Sequence, residues 1–191
     1  MSKFRWGFKA EANAYAIEFR EELGLSPADP LCPWSLADHL QIPVVGLSEF
    51  GSNHPREVAR FMADGGSKFS GATLFVGTKR FIIHNDGHHR RRQAANIAHE
   101  LSHAILGHPQ MPPFHEDGQR NFNSIYENEA NWLGPALLIS EAAAFHIVKS
   151  GMAMLEAMNT YGVSESLIQM RINVVGVHKR IRRSTRSRVR R

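Results

Sequence analysis

The chain has 191 residues, of which 42% are hydrophobic and 21% charged, and this suits one globular domain with a single core. No run approaches the roughly 20 apolar residues of a membrane-spanning helix, and no secretory leader is recognisable after Met1. The single cysteine, Cys32, excludes an intrachain disulfide and a thiolate-rich zinc site, so we expect a cytoplasmic protein without membrane contact.

The net charge of +5 is concentrated at the C-terminus. Eight of the 23 Lys and Arg residues lie after His178, so the rest of the chain has 15 basic against 18 acidic residues. Such a run is usually a disordered, solvated end, and phosphate contacts made by it would not read a sequence. We therefore expect one domain over residues 1–177, with a C-terminal helical part at 141–177. The tail, 178–191, is expected to be basic and disordered, with at most weak nucleic-acid contact.

The first half of the chain predicts three helices and three short strands. Apolar residues at helical spacing predict a helix over about 9–23, and shorter helices are expected over about 35–40 and 55–63. Strands are expected over 43–47, 72–76 and 80–84, and a hairpin turn at Gly77 joins the last two. These segments predict a small, mostly antiparallel sheet.

From about His89 the chain is predicted to be helical. The first long helix has one apolar stripe, which consists of Ala94, Ile97, Ala98, Leu101, Ala104 and Ile105. A second long helix begins near Ser124, and Gly134-Pro135 predicts a kink or a break inside it. Shorter helices are expected over about 141–149, 153–159 and 165–173, the last with Ser164 as its N-cap. The fold class is therefore α+β, a small sheet packed with several helices.

The segment His99-Glu100-Leu101-Ser102-His103 fits the pattern H-E-x-x-H inside the first long helix. Residues four apart share a helix face, so His99 and His103 can both bind one cation at about 2.0–2.1 Å. Glu100 is placed to take a proton from the attacking water and to deliver it to the leaving amine. Two solvent-facing histidines on an ordinary helix are the alternative, which the uncharged flanks of the motif disfavour.

A catalytic zinc site needs a third protein ligand. The longer pattern H-E-x-x-H-x-x-G-x-x-H is absent, because Leu106 replaces its glycine and Pro109 its last histidine. A glutamate on the second long helix is the other common solution, and that helix contains Glu127 and Glu129.

The residues alone leave the choice between these two glutamates open. Glu127 and Asn131 are four apart and share a helix face, so Asn131 could orient a ligand. Ser124, however, stands three residues before Glu127 in a capping-box pattern, which would use Glu127 at the helix terminus. Glu129 is then the fallback ligand.

Two segments of the chain match a known combination of motifs. The motif helix from Ala98 to Leu106 is followed by the E-x-x-A-N segment that begins at Glu127 and by the aliphatic run that ends at Ile139. Together they resemble the ImmA/IrrE metallo-endopeptidases, over about residues 8–177. The resemblance implies a zincin-like fold with H-E-x-x-H on a central helix and a gluzincin-like zinc endopeptidase, for which manganese is a second candidate metal. It also implies Glu127 as the third ligand.

The resemblance also implies a partner. Proteins of this family are associated with cleaving helix-turn-helix repressors in stress, prophage and toxin–antitoxin-like systems, so we expect such a repressor as substrate. The edge of the sheet, around residues 72–76, is expected to bind it as an added strand. The alternative is a non-catalytic regulator that binds a transcription factor or DNA through the C-terminal helices and the basic tail.

The residue that would stabilise the oxyanion of the tetrahedral intermediate is left open. Six side chains near the motifs are candidates: His84, His88, His89, His108, His115 and Tyr126.

Overall fold

The computed structural model describes residues 4–62, 69–109 and 123–189, with side chains up to Ser184. The first part contains α1 (Phe8–Glu22), α2 (Pro33–His39), β1 (Val44–Gly46), α3 (Pro55–Met62), β2 (Gly71–Val76) and β3 (Lys79–His84). The second part contains α4 (Arg90–Ile105), α5 (Ser124–Leu138), α6 (Glu141–Ser150), α7 (Met154–Tyr161), α8 (Glu165–Val175) and α9 (Val177–Val189). The predicted α+β class is confirmed. In the described ranges, no helix is both long and apolar enough to cross a membrane.

The three strands form one sheet in the order β1-β3-β2. Strands β2 and β3 form the predicted antiparallel hairpin, with Thr73 opposite Ile82. Strand β1 pairs with β3 in parallel, with Val45 opposite Ile83, so the sheet is mixed, and its longer pairing is the antiparallel one. The connection through α3 leads from β1 to β2, and the hairpin then reverses the chain, so β3 runs in the same direction as β1. Strand β2 is left at an edge.

Helices α4 and α5 pack against each other between two hydrophobic clusters. The first cluster joins them to α1, α2 and the sheet through buried side chains such as Phe8, Leu36, Ile82, Leu101 and Leu133. The second joins them to the C-terminal helices through Ala98, Leu138, Ala143, Ile168 and Ile172, among others. The two long helices are therefore held from both sides, and the groups that they present at their common surface are fixed in relative position.

Helix α5 continues through Pro135 to Leu138, so the predicted break does not occur. Proline removes one helical hydrogen bond, but the three residues that follow it are almost completely buried, and their packing maintains the last turn. Ser140 then caps α6 by accepting a hydrogen bond from Ala143 N. Ser164 caps α8 as predicted.

The structure forms α9 where the sequence predicted a disordered tail from residue 178. Val177 is fully buried and Ile181 packs against the second cluster, so two apolar residues four apart face the body. Arg180 Nη1 lies 2.6 Å from Glu141 Oε1 and its guanidinium lies over the ring of Phe145. The expectation of disorder was wrong for the start of this segment because these contacts dock its first turn.

Candidate metal centre

The buried stripe of α4 determines where the H-E-x-x-H side chains point. Ile97 and Leu101 are fully buried in the first cluster and lie on the side of α4 that faces the sheet and α5. His99 and His103 lie on the partly exposed side, where their side chains keep 23% and 19% of their accessible surface. The helix is thus anchored by its apolar residues while both imidazoles remain reachable from solvent.

The structure brings His99, His103 and Glu127 together, one ligand atom from each. The two Nε2 atoms are 3.2 Å apart, and the oxygens of Glu127 lie 3.4 Å from His99 Nε2 and 3.6 Å from His103 Nε2. Tetrahedral bonds of about 2.0–2.1 Å would place ligand atoms roughly 3.3–3.4 Å apart. The three side chains therefore fit a zinc-sized cation, and two imidazoles with one carboxylate are a donor set typical of catalytic zinc.

Glu127 is available for this cluster because another residue caps α5. The N-cap is Asn123, whose side-chain oxygen accepts hydrogen bonds from the backbone N–H groups of Ile125 and Tyr126. The capping box predicted from Ser124 is therefore not formed, and the carboxylate of Glu127 faces the histidines. Asn131, one turn further, contacts His99 through a side-chain hydrogen bond. This is the contact expected of a residue that orients a ligand.

Gly134 allows α5 to approach the motif helix closely. A Cβ atom at this position would lie 3.1 Å from His99 N and 3.2 Å from the carbonyl carbon and oxygen of Ala98. These neighbours are backbone atoms of a packed helix, so they cannot move aside individually. The glycine therefore sets the spacing that places Glu127 against His99 and His103.

We expect the substitution Gly134→Ala to destabilise the protein by about 1–3 kcal/mol, because the added methyl group pushes two packed helices apart. The better helix propensity of alanine, worth about 1 kcal/mol, offsets only part of this cost. Denaturant titration of the metal-free protein measures the change in the free energy of unfolding. Stability equal to or above that of the wild type would show that the helix pair tolerates a wider spacing.

Glu100 lies between the motif helix and the edge strand. Thr73 Oγ1 donates a hydrogen bond to Glu100 Oε2 at 2.7 Å, and a Cβ on Gly71 would lie 3.6 Å from Glu100 Cγ. Burial raises the pKa of Glu100, while neighbouring His99 and the bond from Thr73 act in the opposite direction. A carboxyl group whose pKa is raised toward neutrality is suited to accept and return a proton.

The two imidazoles differ in their electrostatic environment. Burial disfavours the charged form of both, and it lowers the pKa of His103 to about 4, with His99 contributing in the same direction. For His99 the effect of burial is outweighed by the hydrogen bond that it donates to Glu127 and by the charge of Glu100, which leave its pKa raised. His103 is therefore neutral at pH 7, with a lone pair available for a metal ion.

A second layer of polar groups lies behind His103. Its Nδ1 is 2.9 Å from His108 Nδ1, and His108 Nε2 is 3.2 Å from Glu129 Oε2. Glu129, the fallback ligand of the sequence analysis, is thus buried behind the cluster and not part of it. Arg5 donates to its other oxygen at 3.1 Å. No pattern in the sequence indicates Arg5, which lies 124 residues away from Glu129.

The structure narrows the candidates for the oxyanion-stabilising residue. His84 is buried beside Trp34, and His89 caps α4 by accepting from Arg91 N. His108 uses both ring nitrogens in the second layer, and Tyr126 stacks on it with the ring centroids 4.6 Å apart. His115 lies outside the described residues. These contacts assign no role to the ring of His88 or to the hydroxyl group of Tyr126, and Tyr126 is the one that packs on His108, next to His103.

The chain matches a known protein family. The model of a peptidase family, described as the IrrE N-terminal-like domain, matches residues 57–173, which is more than half of the 191 residues. The matched range contains the edge strand, both long helices and the H-E-x-x-H motif. No curated protein and no solved structure matches the chain significantly.

Proposed function

Because the chain belongs to the peptidase family of the IrrE N-terminal-like domain, we propose that it is a zinc-dependent endopeptidase with a zincin-like fold. The observation that supports this most directly is the His99, His103 and Glu127 cluster, with ligand atoms 3.2–3.6 Å apart beside the carboxylate of Glu100. The two histidines of the cluster lie on α4, and we propose that α4 is the central helix of the zincin-like fold. Zinc is preferred to manganese because two imidazoles are softer ligands than manganese usually takes.

A zinc ion held by the cluster would supply Lewis acidity, polarising the scissile carbonyl and lowering the pKa of water. Glu100 then accepts a proton from the attacking water and transfers it to the leaving amine nitrogen. Its bond with Thr73 holds the carboxylate in one orientation. Tyr126 is proposed to donate a hydrogen bond to the carbonyl oxygen as negative charge develops on it.

The edge strand β2 supports a binding mode for the substrate. It pairs only with β3 in the described sheet, and Thr73 in its middle contacts Glu100. A peptide that added to this edge as a further strand would therefore pass beside the catalytic carboxylate. A groove of about 1030 Å³, lined in part by Ala104 and Ile105 of α4 and by Val76 at the end of β2, is proposed to receive apolar side chains of the same substrate.

The substrate that we propose is a helix-turn-helix repressor, cleaved in the cytoplasm as part of a stress, prophage or toxin–antitoxin-like response. Family membership and the sequence resemblance support this proposal. The groove is consistent with a protein substrate, because Lys79 and Arg80 line it and none of the described side chains that line it is acidic. A segment with apolar and acidic side chains would match it.

Removal and return of the metal test the proposed activity. The purified protein is incubated with helix-turn-helix repressors from the same genome, and the products are identified by mass spectrometry. We expect one repressor to be cut at a defined bond, the activity to fall to background after treatment with a chelator, and Zn²⁺ to restore it. Cleavage that continues in the stripped protein would contradict the proposal, since the reaction would not need the cluster.

The alternative function, a non-catalytic regulator that binds a transcription factor or DNA, has one structural observation in its favour. The start of α9 is docked on the body, and its exposed side includes Arg182 and Arg183. A basic helix of this kind can neutralise phosphates. The alternative gives no role to the carboxylate of Glu100 beside a three-residue metal cluster, so we rank it second.

A further inference from the structure

We infer that His108, Glu129 and Arg5 form a hydrogen-bonded chain that positions the imidazole of His103 for metal binding. This inference rests on the proposed metal site and adds three positioning residues to it. Glu129 lies on helix α5, and His108 lies in the loop that follows α4. Arg5 comes from the N-terminal segment, outside the range matched by the family model.

Three successive contacts join His103 to Arg5. His103 Nδ1 is 2.9 Å from His108 Nδ1, His108 Nε2 is 3.2 Å from Glu129 Oε2, and Arg5 Nε is 3.1 Å from Glu129 Oε1. The side chains of His108 and Glu129 each keep only 5% of their accessible surface. Buried polar groups are costly unless they are paired, so these contacts are expected to persist.

The chemistry of the two ends allows only one direction for the hydrogen bonds. A neutral His103 that binds a metal through Nε2 has its proton on Nδ1, which must then donate to His108 Nδ1. His108 consequently has its proton on Nε2 and donates to Glu129. Arg5 can only donate and the carboxylate can only accept, so every group in the chain is satisfied by the same arrangement.

This arrangement acts on the ligand in two ways. It holds the His103 ring in the plane in which Nε2 faces His99 and Glu127, and the stacking of Tyr126 on His108 fixes the next ring along the chain. The carboxylate of Glu129 also accepts the hydrogen bond from His108 Nε2, which makes His108 Nδ1 a stronger acceptor for the proton on His103 Nδ1. The imidazole of His103 thereby becomes more basic at Nε2 and a stronger ligand for a metal ion. Arg5 orients Glu129, so the N-terminal segment contributes to the site without touching the ligands.

Metal affinity and the spectrum of bound Co²⁺ test the inference, and neither depends on activity. Metal-free wild type, Glu129→Gln, His108→Phe and Arg5→Gln are titrated with Zn²⁺ in competition with a chromogenic chelator. His108→Phe preserves the ring that stacks on Tyr126 but removes both hydrogen bonds. Arg5→Lys retains a positively charged donor, and Glu11→Gln removes the other carboxylate bound to Arg5 as the matched control.

We expect the Kd for Zn²⁺ to rise roughly 10- to 100-fold in Glu129→Gln and His108→Phe, with an altered Co²⁺ absorption spectrum. Arg5→Gln should shift both in the same direction by a smaller amount, because its side chain is half exposed, and Arg5→Lys should recover most of the affinity. Glu11→Gln should bind like the wild type.

Thermal unfolding of the metal-free proteins shows which variants are folded. If a substitution of the buried His108 or Glu129 prevents folding, Arg5→Gln still tests the inference, because the side chain of Arg5 is half exposed. Folded variants whose Kd stays within about twofold of the wild type, with an unchanged Co²⁺ spectrum, would overturn the positioning role and leave the proposed function intact. A wild type that binds neither metal would overturn the proposed function itself, which is a different result.

Discussion

The substitution Glu100→Gln is expected to lower the rate of peptide cleavage by at least about 10²- to 10⁴-fold while zinc remains bound. Glutamine has nearly the same shape and can still accept the hydrogen bond from Thr73, so the edge strand and α4 should stay in place. Its amide cannot accept and return a proton, so the transfer from water to the leaving amine loses its carrier. The rate is measured on the repressor found to be cleaved, and zinc by elemental analysis of the same sample.

The variant Glu156→Gln is the matched control, because this carboxylate is exposed on α7 and no contact connects it with the cluster. The same experiment separates the two functions. If the protein only binds its partner, Glu100→Gln should keep its biological activity, and replacing Arg182 and Arg183 by glutamine should abolish it. This pair of substitutions is preferable to truncation after Val177, because truncation would also remove the docked turn of α9.

Full cleavage by Glu100→Gln would contradict the assignment of the proton-transfer residue. Since Glu100 is the carboxylate that follows the first histidine of the motif, another group would then have to be sought among the side chains around the cluster. Loss of zinc together with loss of activity would be a third result, which would show that the carboxylate is needed for the site to form.

The parts of the site that lie close in sequence could be predicted. His99 and His103 share a helix face because they are four residues apart, and the apolar stripe with Ile97 and Leu101 fixes which face is buried. N-cap preferences do not decide where α5 begins, because Asn123 and Ser124 are both favourable N-cap residues. The structure uses Asn123, and this shift by one residue decides that Glu127 faces α4 and not its own helix end.

Features that depend on distant segments could not be predicted. The parallel pairing of β1 with β3 places β3 between β1 and β2, and nothing within either strand specifies this order. The contact between Arg5 and Glu129 joins residues 124 positions apart, and half-buried ion pairs leave no periodic pattern in a sequence. For α9 a signal was present, since Val177 and Ile181 are apolar and four apart, but the density of arginines concealed it.

The substitution Glu127→Ala is expected to abolish stoichiometric zinc binding, whereas Glu129→Gln should only weaken it. Glu127 supplies oxygens 3.4 and 3.6 Å from the two Nε2 atoms, so its removal leaves two ligands, fewer than a catalytic zinc site needs. Glu129 acts through His108, so its loss should cost roughly 10- to 100-fold in affinity and leave one zinc per chain at saturation. Elemental analysis after dialysis against excess Zn²⁺ gives the stoichiometry, and Glu141→Ala is the control for loss of a carboxylate elsewhere.

The comparison of these two variants at saturating zinc distinguishes a ligand from a residue that orients a ligand. If Glu129→Gln lost its zinc and Glu127→Ala kept it, the buried carboxylate would be the ligand, and α5 would have to rotate relative to α4 when metal binds. Helix α5 lies so close to α4 at Gly134 that a Cβ there would be only 3.1–3.2 Å from backbone atoms of Ala98 and His99, and such a rotation would disrupt this packing. The close packing of the two helices therefore favours Glu127 over Glu129 as the third ligand that we propose.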